Sequence, residues 1–376
     1  MGSEGTVSNR TKHSTYIHWA KVRPHVRFDL ATSAVVDCAA SSLPLNLKDI
    51  EINAPGGYGY APLIQALASR FQIDPQCIVH ANGTSMANHL AMAAVVSHGD
   101  EVLVETPTYE PLLAVAAYFG GNVKRFRRNV SDGFAVDVRE IERSISSRTR
   151  LIAFTNLHNP TNALVDEKTL SHVGELARSV GARVLVDEVY LETLFEARPR
   201  TASQLGNEFI ATGSLTKAYG LGGLRCGWVF AEANLAEQMR RLNDIYGVIP
   251  PHVVERLSVI ALENLEAIAG RAKALLETNR KIFDAFADSC PHIECQRPEF
   301  GTVVFPRLRS GNVDALWELA AGKYETTFVP GRFFEMPDHF RICIGCESEV
   351  LSEGLNRLAS AMDEFAGTSS RSTENV

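Results

Sequence analysis

The feature that most constrains the fold is an alternation of short apolar segments with amphipathic helical patterns through the middle of the chain. Residues 184–186 (Val-Leu-Val) are typical of a buried strand, and residues 167–180 place their apolar side chains on one face of a helix. This alternation predicts an α/β fold with a large, doubly wound, mostly parallel sheet. Ligands of such sheets bind at the carboxyl ends of the strands, so functional residues are expected in the loops that follow them.

The same patterns predict the other elements and the domain limits. Strands of the large sheet are predicted at 101–105, 123–126, 150–155, 183–187, 209–212 and 226–230, with a helix at 86–96. Further predictions are a long helical run at 252–287, short strands at 302–306, 326–329 and 340–344, and a closing helix at 349–365. We expect residues 46–248 to form the large domain and 249–365 a smaller α/β domain joined by residues 1–45. Residues 1–12 and the polar tail 366–376 are predicted to be unstructured.

Bulk composition limits the class of protein. The formal net charge is −7 over 376 residues, and no sustained basic stripe is present, so nucleic acid is not an expected partner. No apolar run is long enough to span a membrane, and the polar N-terminus lacks the apolar core of a signal peptide, which predicts a cytoplasmic protein. Seven scattered cysteines favour free thiols, and Cys343 and Cys346, although spaced as in a zinc site, lack the other ligands, so no metal is expected.

The loop between the strands at 209–212 and 226–230 carries the strongest chemical signal. From Ser214 to Gly227 it reads Ser-Leu-Thr-Lys-Ala-Tyr-Gly-Leu-Gly-Gly-Leu-Arg-Cys-Gly. Glycines allow close approach of a backbone to an anion, and Arg225 can hold a phosphate with two parallel hydrogen bonds. Lys217, beside a second cation and partly desolvated, is expected to have a lowered pKa and to act as a neutral amine that forms a Schiff base. The simpler interpretation of this loop is a glycine-rich surface turn.

Ser-x-Thr-Lys followed by Gly-Leu-x-Gly-x-Arg-x-Gly resembles the lysine signature of class I/II aminotransferases, the fold-type-I enzymes that use pyridoxal 5'-phosphate. The resemblance extends over about residues 28–365. It implies that Lys217 forms the Schiff base with the cofactor. In the motif Asp-Glu-Val-Tyr it implies that Asp187 pairs with the pyridine nitrogen and that Tyr190 hydrogen-bonds the 3'-oxygen of the ring. A lone Asp at a strand end more commonly caps a helix.

The resemblance assigns roles to three further loops. Asn159, in Asn-Pro-Thr-Asn, takes the place of an asparagine that also contacts the 3'-oxygen, and Asn162 replaces a glycine but tolerates positive φ. Tyr109, in Pro-Thr-Tyr, corresponds to the residue that stacks on the cofactor ring. The phosphate is expected to bind a cup formed by the following residues: Gly83, Thr84, Ser85, Ser214, Thr216 and Arg225.

Substrate and partner contacts are also implied by the resemblance. Arg341 sits where the family has the arginine that binds the substrate's α-carboxylate, together with Asn159. The N-terminal aromatic segment offers Tyr16, His18, Trp19 and Arg23 as pocket residues, although packing on the small domain is an equal alternative. Relatives build each site from two chains, so a homodimer is expected, with Tyr58 or Tyr60 reaching the phosphate of the partner.

Together these motifs predict an aminotransferase that moves an amino group between an amino acid and a 2-oxo acid. A lyase, cyclase or synthase on the same fold, such as a carbon–sulfur lyase, shares every residue named above. A non-catalytic binding protein is a further alternative, although mere binding does not require Lys217, Asp187 and Arg341 together. The sequence does not indicate which amino acid side chain is accepted.

Overall fold

The computed structural model describes residues 13–53 and 57–373. Its strands are β1 Phe28–Asp29, β2 Ile78–Asn82, β3 Glu101–Thr106, β4 Asn122–Arg127, β5 Thr149–Thr155, β6 Arg183–Asp187, β7 Phe209–Ser214, β8 Cys226–Phe230, β9 Ile293–Glu294, β10 Val303–Val304, β11 Arg307–Leu308, β12 Thr326–Thr327, β13 Val329–Pro330 and β14 Phe340–Cys343. Its α-helices are α1 Thr15–Val22, α2 Ala61–Phe71, α3 Gly83–Val95, α4 Glu110–Tyr118, α5 Val138–Ser144, α6 Glu167–Val180, α7 Thr216–Tyr219, α8 Ala233–Tyr246, α9 His252–Glu263, α10 Leu265–Ser289, α11 Val313–Lys323 and α12 Ser348–Thr373.

The large sheet has seven strands in the order β2-β8-β7-β6-β5-β3-β4. Strand β8 is antiparallel to β7 and to β2, whereas β7, β6, β5, β3 and β4 are parallel to one another. Alternate residues of the central strands pack into separate apolar clusters on the two faces: Ile152 and Val184 on one face, Leu151 and Leu185 on the other. Burial on both faces explains the continuous apolar runs in the sequence, and the predicted doubly wound α/β fold is confirmed.

The N-terminal segment and the C-terminal third of the chain are joined by backbone pairing. Strand β1 pairs in parallel with β12, and the following residues bond to β14 through the amide of Cys343, which donates to the carbonyl of Leu30 at 2.8 Å. A separate apolar cluster contains Leu30 and Val35 together with side chains of α10 and α12. In these contacts the N-terminal segment pairs with strands of the C-terminal third, as expected for attachment of residues 1–45 to the small domain. The domain limits themselves remain a prediction.

Several predicted element limits differ from the structure. The helix expected at 86–96 begins at Gly83, and the run expected at 252–287 is two helices separated at Asn264. The strand expected at 326–329 is divided into β12 and β13, which pair with different partners, β1 and β14. Helix α12 continues to Thr373 although residues 366–373 were expected to be unstructured, since helix propagation needs only one further backbone bond per residue and no proline interrupts it.

Two expectations fall outside the described part of the chain: the disorder of residues 1–12 and the conformation of residues 374–376. Among residues 13–53 and 57–373, no helix is long and apolar enough to cross a membrane. Within those same ranges, no group of three or more His, Cys, Asp or Glu side chains could hold a metal ion.

Candidate active site

A cavity of about 660 Å³ opens where β5, β6 and β7 of the large sheet end. This is the position at which open α/β sheets bind their ligands. Most of the residues predicted for the site line it: Thr84, Ser85, Tyr109, Asn159, Asp187, Ser214, Thr216, Lys217, Arg225 and Arg341. Gly83 and Tyr190 lie directly behind this lining, so the structure brings the predicted set together from loops far apart in the sequence.

Lys217 lies in the short helix α7, which follows β7. Its Nζ donates a hydrogen bond to Ser33 Oγ at 2.6 Å and stands 5.9 Å from the centre of the Tyr190 ring. Desolvation, and then the positive charge of Arg341, lower the pKa of Lys217 to about 8. Because a neutral amine is the nucleophilic form, about a tenth of Lys217 is reactive at pH 7, far more than for a lysine of ordinary pKa.

Asp187 is the last residue of β6 and is buried. Its Oδ2 accepts a hydrogen bond from Asn88 Nδ2 at 2.7 Å, and its Oδ1 accepts one from the amide of Val189 at 3.1 Å. Burial raises the pKa of Asp187 to about 6, and these two hydrogen bonds and Lys217 limit the rise. A protonated ring nitrogen would supply the positive partner that this buried carboxylate lacks.

Asn88 was not predicted from the sequence. It lies in α3, and its Oδ1 accepts a hydrogen bond from Thr212 Oγ1 at 2.6 Å while its amide holds Asp187. The sequence signal that could have identified Asn88 is an asparagine within an alanine-rich apolar helix. Such a helix is expected to be buried, and a buried amide needs hydrogen-bond partners. Ser33, the partner of Lys217, was also missed because nothing in the sequence places residue 33 beside residue 217.

The first turn of α3 and the β7–β8 loop form a cup, in which the phosphate is predicted to bind. Thr84 Oγ1 donates to Ser214 Oγ at 2.9 Å, and Arg225 Nη2 donates to the carbonyl of Asn82 at 3.3 Å. Gly83 has φ +73°, and a Cβ at this position would overlap the Arg225 guanidinium. The glycine therefore lets the arginine lie against the helix N-terminus, where free amides and the helix dipole favour a phosphate.

Arg341 is buried in β14 at the opposite side of the cavity from this cup. Its Nη1 donates to Asn159 Oδ1 at 2.9 Å, and its Nη2 donates to Tyr16 Oη at 2.7 Å. The guanidinium carbon lies 5.0 Å from the centre of the Phe334 ring. No carboxylate of the described chain pairs with Arg341, so it is a buried cation suited to an anionic ligand.

The aromatic residues and the asparagine turn frame the space between these two ends. Tyr109 caps α4 and meets Tyr16 edge-on, with ring centres 6.0 Å apart. Burial raises the pKa of Tyr190, which keeps its hydroxyl protonated as a hydrogen-bond donor. The amide of Asn159 donates to Thr155 Oγ1 at 2.8 Å, and Asn162 adopts φ +61°, which confirms the predicted positive φ.

The remaining candidates divide into two groups. Tyr16 and Arg23 line the cavity, whereas His18 is exposed and Trp19 packs against Phe333, with ring centres 5.0 Å apart. Tyr58 Oη donates to Asp244 at 3.1 Å on the surface, and the hydroxyl of Tyr60 accepts from Arg256. Neither tyrosine lines the cavity of its own chain, so their expected role toward a partner stays a prediction.

Comparison with known proteins identifies the class. The family model described as aminotransferase class I and II matches residues 28–358, and the chain belongs to this family of PLP-dependent transferases. It is 32% identical over 310 residues to capreomycidine synthase of Streptomyces vinaceus, covering 81% of this chain and 79% of that protein. It is 26% identical to the arginine–pyruvate transaminase AruH of Pseudomonas aeruginosa, covering 82% of each.

A solved structure resembles the whole fold. The PLP-dependent aminotransferase from Streptococcus suis 89-1591 superposes with a TM-score of 0.88 at 25% identity, over 93% of this chain and 97% of that one. The family and this neighbour imply pyridoxal phosphate as the cofactor. The residues present fit that molecule, because an anion cup, an amine of lowered pKa and a buried carboxylate line one cavity.

Proposed function

We propose that this protein is a PLP-dependent aminotransferase that moves an amino group between an amino acid and a 2-oxo acid. The observation that carries the proposal is the amine of Lys217, with a pKa of about 8, in the same cavity as buried Asp187 and Arg341. Pyridoxal phosphate supplies an aldehyde that bonds an amine and a ring that accepts electron density from the substrate's α-carbon.

In this proposal five contacts would hold the cofactor. Lys217 would bond its aldehyde carbon, and Asp187, oriented by Asn88, would pair with its ring nitrogen. Tyr190 and Asn159 would contact the 3'-oxygen, and Tyr109 would stack on the ring. The phosphate would lie in the cup formed by Gly83, Thr84, Ser85, Ser214, Thr216 and Arg225.

The substrate is oriented from the other end of the cavity. Arg341, held by Asn159 and Tyr16, binds the α-carboxylate through two parallel hydrogen bonds. Once the substrate's amino group has replaced it on the cofactor, the free neutral Nζ of Lys217 would accept the proton of the α-carbon and return it to a different atom, since one base can serve both transfers. Ser33 Oγ, within hydrogen-bond distance of Nζ, positions the amine for this role.

We also propose a homodimer, because one surface of the protein exposes many apolar side chains. Its exposed members are Leu47, Ile50, Ile52, Tyr58, Ile245, Val248 and Ile249. The hydrogen bond from Tyr58 to Asp244 places Tyr58 beside the segment that carries Ile245, Val248 and Ile249. Exposed apolar patches of this kind mark association surfaces. Sedimentation of the active protein should give twice the mass of the chain; a fully active monomer would contradict the dimer.

The function is tested with purified protein loaded with pyridoxal phosphate. Amino acids are supplied with 2-oxoglutarate or pyruvate, and the products are identified by mass spectrometry. We expect the donor's 2-oxo acid together with the amino acid derived from the acceptor, and no free ammonia. Release of ammonia or a thiol without transfer to the acceptor would show elimination instead.

A second candidate is a cyclase or synthase. The specific observation in its favour is that the relative at 32% identity is named capreomycidine synthase rather than an aminotransferase. Such an enzyme would use the same Lys217, Asp187 and Arg341, and it differs only in the fate of the substrate. Retention of the amino group in a ring-closed product, with no dependence on a 2-oxo acid, would establish it.

A further inference from the structure

The active-site cavity continues past Lys217 and Arg341 toward a region rich in carboxylates. Asp29, Asp37 and Glu347 line the cavity there, together with Arg23, the residue that follows α1. Arg341 independently marks this cavity as a ligand site, because its buried Nε has no hydrogen-bond partner. The question is therefore which side chain of an amino acid the carboxylate-lined part of the cavity accepts.

Backbone pairing brings these carboxylates together. The amide of Val36 donates to the carbonyl of Gly345 at 2.7 Å, so the chain entering Asp37 runs beside the chain entering Glu347. Burial and the neighbouring Cys343 raise the pKa of the Cys346 thiol, and the negative charges of Asp29 and Glu347 raise it further. Cys346, which directly precedes Glu347 in the chain, and Asp29 line the same cavity.

The charges of this region do not cancel. Arg23 Nη2 binds Asp29 Oδ2 at 2.7 Å, and the Arg23 side chain is only 10% exposed, so this pair is internally neutral. The carboxylates of Asp37 and Glu347 make no hydrogen bond or ion pair with any other side chain in the described ranges. The formal charges of the ionisable side chains that line this part of the cavity, Asp29, Asp37, Glu347 and Arg23, therefore sum to about −2.

We propose that the substrate is an amino acid with a positively charged side chain, an ammonium or a guanidinium, and that Glu347 and Asp37 select it. The inference rests on the proposed function and adds its substrate class. Arg341 fixes the α-carboxylate, and the free carboxylates attract the cationic end of the same molecule. The opposite choice, an acidic side chain bound through the unpartnered Nε and Nη1 of Arg23, would bring a further negative charge to a region that already holds three carboxylates.

The first experiment compares substrates of similar shape and different charge on the cofactor-loaded enzyme. Arginine is compared with citrulline, lysine with norleucine, and both with glutamate, by the kcat/KM of the reaction with the bound cofactor. We expect each cationic substrate to exceed its neutral counterpart by about fivefold, as expected for partly exposed charges. The preference should shrink as salt is raised from about 0.01 M to about 1 M, because such charges are screened.

The second experiment tests the two residues. Glu347→Gln should lower kcat/KM for arginine about fivefold and leave that for citrulline unchanged, and adding Asp37→Asn should lower it further. Glu349→Gln is the matched control, since Glu349 is an exposed carboxylate two residues further along, in the first turn of α12, that does not line this cavity. Calorimetric binding of arginine and citrulline to a cofactor-loaded Lys217→Ala protein gives a readout independent of turnover.

The outcomes separate the two proposals. Transamination of norleucine or glutamate in preference to lysine and arginine would overturn the substrate class and leave the aminotransferase intact. A preference for glutamate that is lost in Arg23→Gln would assign the region to acidic side chains. Failure of every amino acid to react with the loaded protein would overturn the proposed function, and the substrate class with it.

Discussion

The two ends of the active-site cavity are built in different ways. The phosphate cup is formed by the first turn of α3 and the β7–β8 loop, and its members hold one another directly through Thr84, Ser214 and Arg225. At the other end, Arg341 is held by residues 182 and 325 positions away in the sequence, Asn159 and Tyr16. An arginine lines the cavity at both ends, but only the cup is built within a single sheet.

Because the two ends are built differently, we expect that cofactor binding and substrate binding can be altered separately. The cup depends on adjacent strand ends of the large sheet, so damage there should affect the cofactor. The Arg341 site depends on how α1 and β14 pack against that sheet, so damage there should affect the substrate. Lys217 lies between the two ends, and changing it should affect both.

Lys217→Ala should have the largest effect because it removes both the nucleophile and the proton-transfer group. We expect kcat to fall by about 10²–10⁴-fold or more, the usual contribution of a general base. Turnover and the absorbance of the bound cofactor measure it, with exposed Lys273→Ala as control. Wild-type absorbance together with full turnover would refute the assignment of Lys217.

Arg341→Gln should weaken substrate binding without weakening cofactor binding. Truncating a buried, hydrogen-bonded charge that binds an opposite charge costs about 2–5 kcal/mol, so kcat/KM should fall at least about 30-fold. Cofactor affinity, measured by fluorescence titration at a pH well above the Lys217 pKa, should remain that of wild type. Arg341→Lys should recover only part of the loss because lysine lacks the planar fork; a weakened cofactor would show that the two ends are not independent.

Arg225→Gln should weaken cofactor binding without weakening substrate binding. Loss of a charged hydrogen bond costs about 1.5–3 kcal/mol, which predicts a cofactor dissociation constant about tenfold or more higher. At saturating cofactor, KM for the amino acid should be unchanged. Arg241→Gln, on the exposed surface of α8, is the matched control, and equal losses in both variants would argue against the cup.

The pH dependence of cofactor attachment should distinguish the effects of Arg341 and Arg225 on Lys217. Only the neutral amine reacts, so the rate of attachment to cofactor-free protein should rise about tenfold per pH unit and level off above the Lys217 pKa of about 8. Arg341 lowers this pKa more than Arg225 does, so Arg341→Gln should move the midpoint to higher pH by more than Arg225→Gln. Rapid-mixing absorbance measures both midpoints, and pyridoxamine phosphate, which has no aldehyde, is the control.

Tyr16→Phe should give the smallest effect. It removes one hydrogen bond to Arg341 and keeps the ring that packs on Phe333 and Phe334. A net hydrogen bond is worth about 1 kcal/mol, so KM for the amino acid should rise about fivefold with cofactor affinity unchanged. An unaltered KM would mean that Arg341 keeps its orientation through Asn159 alone.

Much of the fold was predictable because local patterns agree with the tertiary structure. The limits of β6, 183–187, were predicted correctly because its apolar residues are continuous. A continuous apolar run is typical of a strand that is buried on both faces. The boundaries that were wrong lie where the local pattern continues across a break. Asn264, which separates α9 from α10, and the division between β12 and β13 depend on long-range partners rather than on periodicity.

By itself, the sequence determined the chemistry: a lysine among glycines and hydroxyls, an aspartate ending a buried strand and an arginine opening another predicted the cavity's main groups. Only the tertiary structure decided their supports, because Ser33, Asn88 and Tyr16 acquire their roles by proximity to Lys217, Asp187 and Arg341. The same holds for the unpaired carboxylates of Asp37 and Glu347. A residue's type and local pattern are written in the sequence, whereas its neighbours across the sheet edge are fixed only when distant segments pack together.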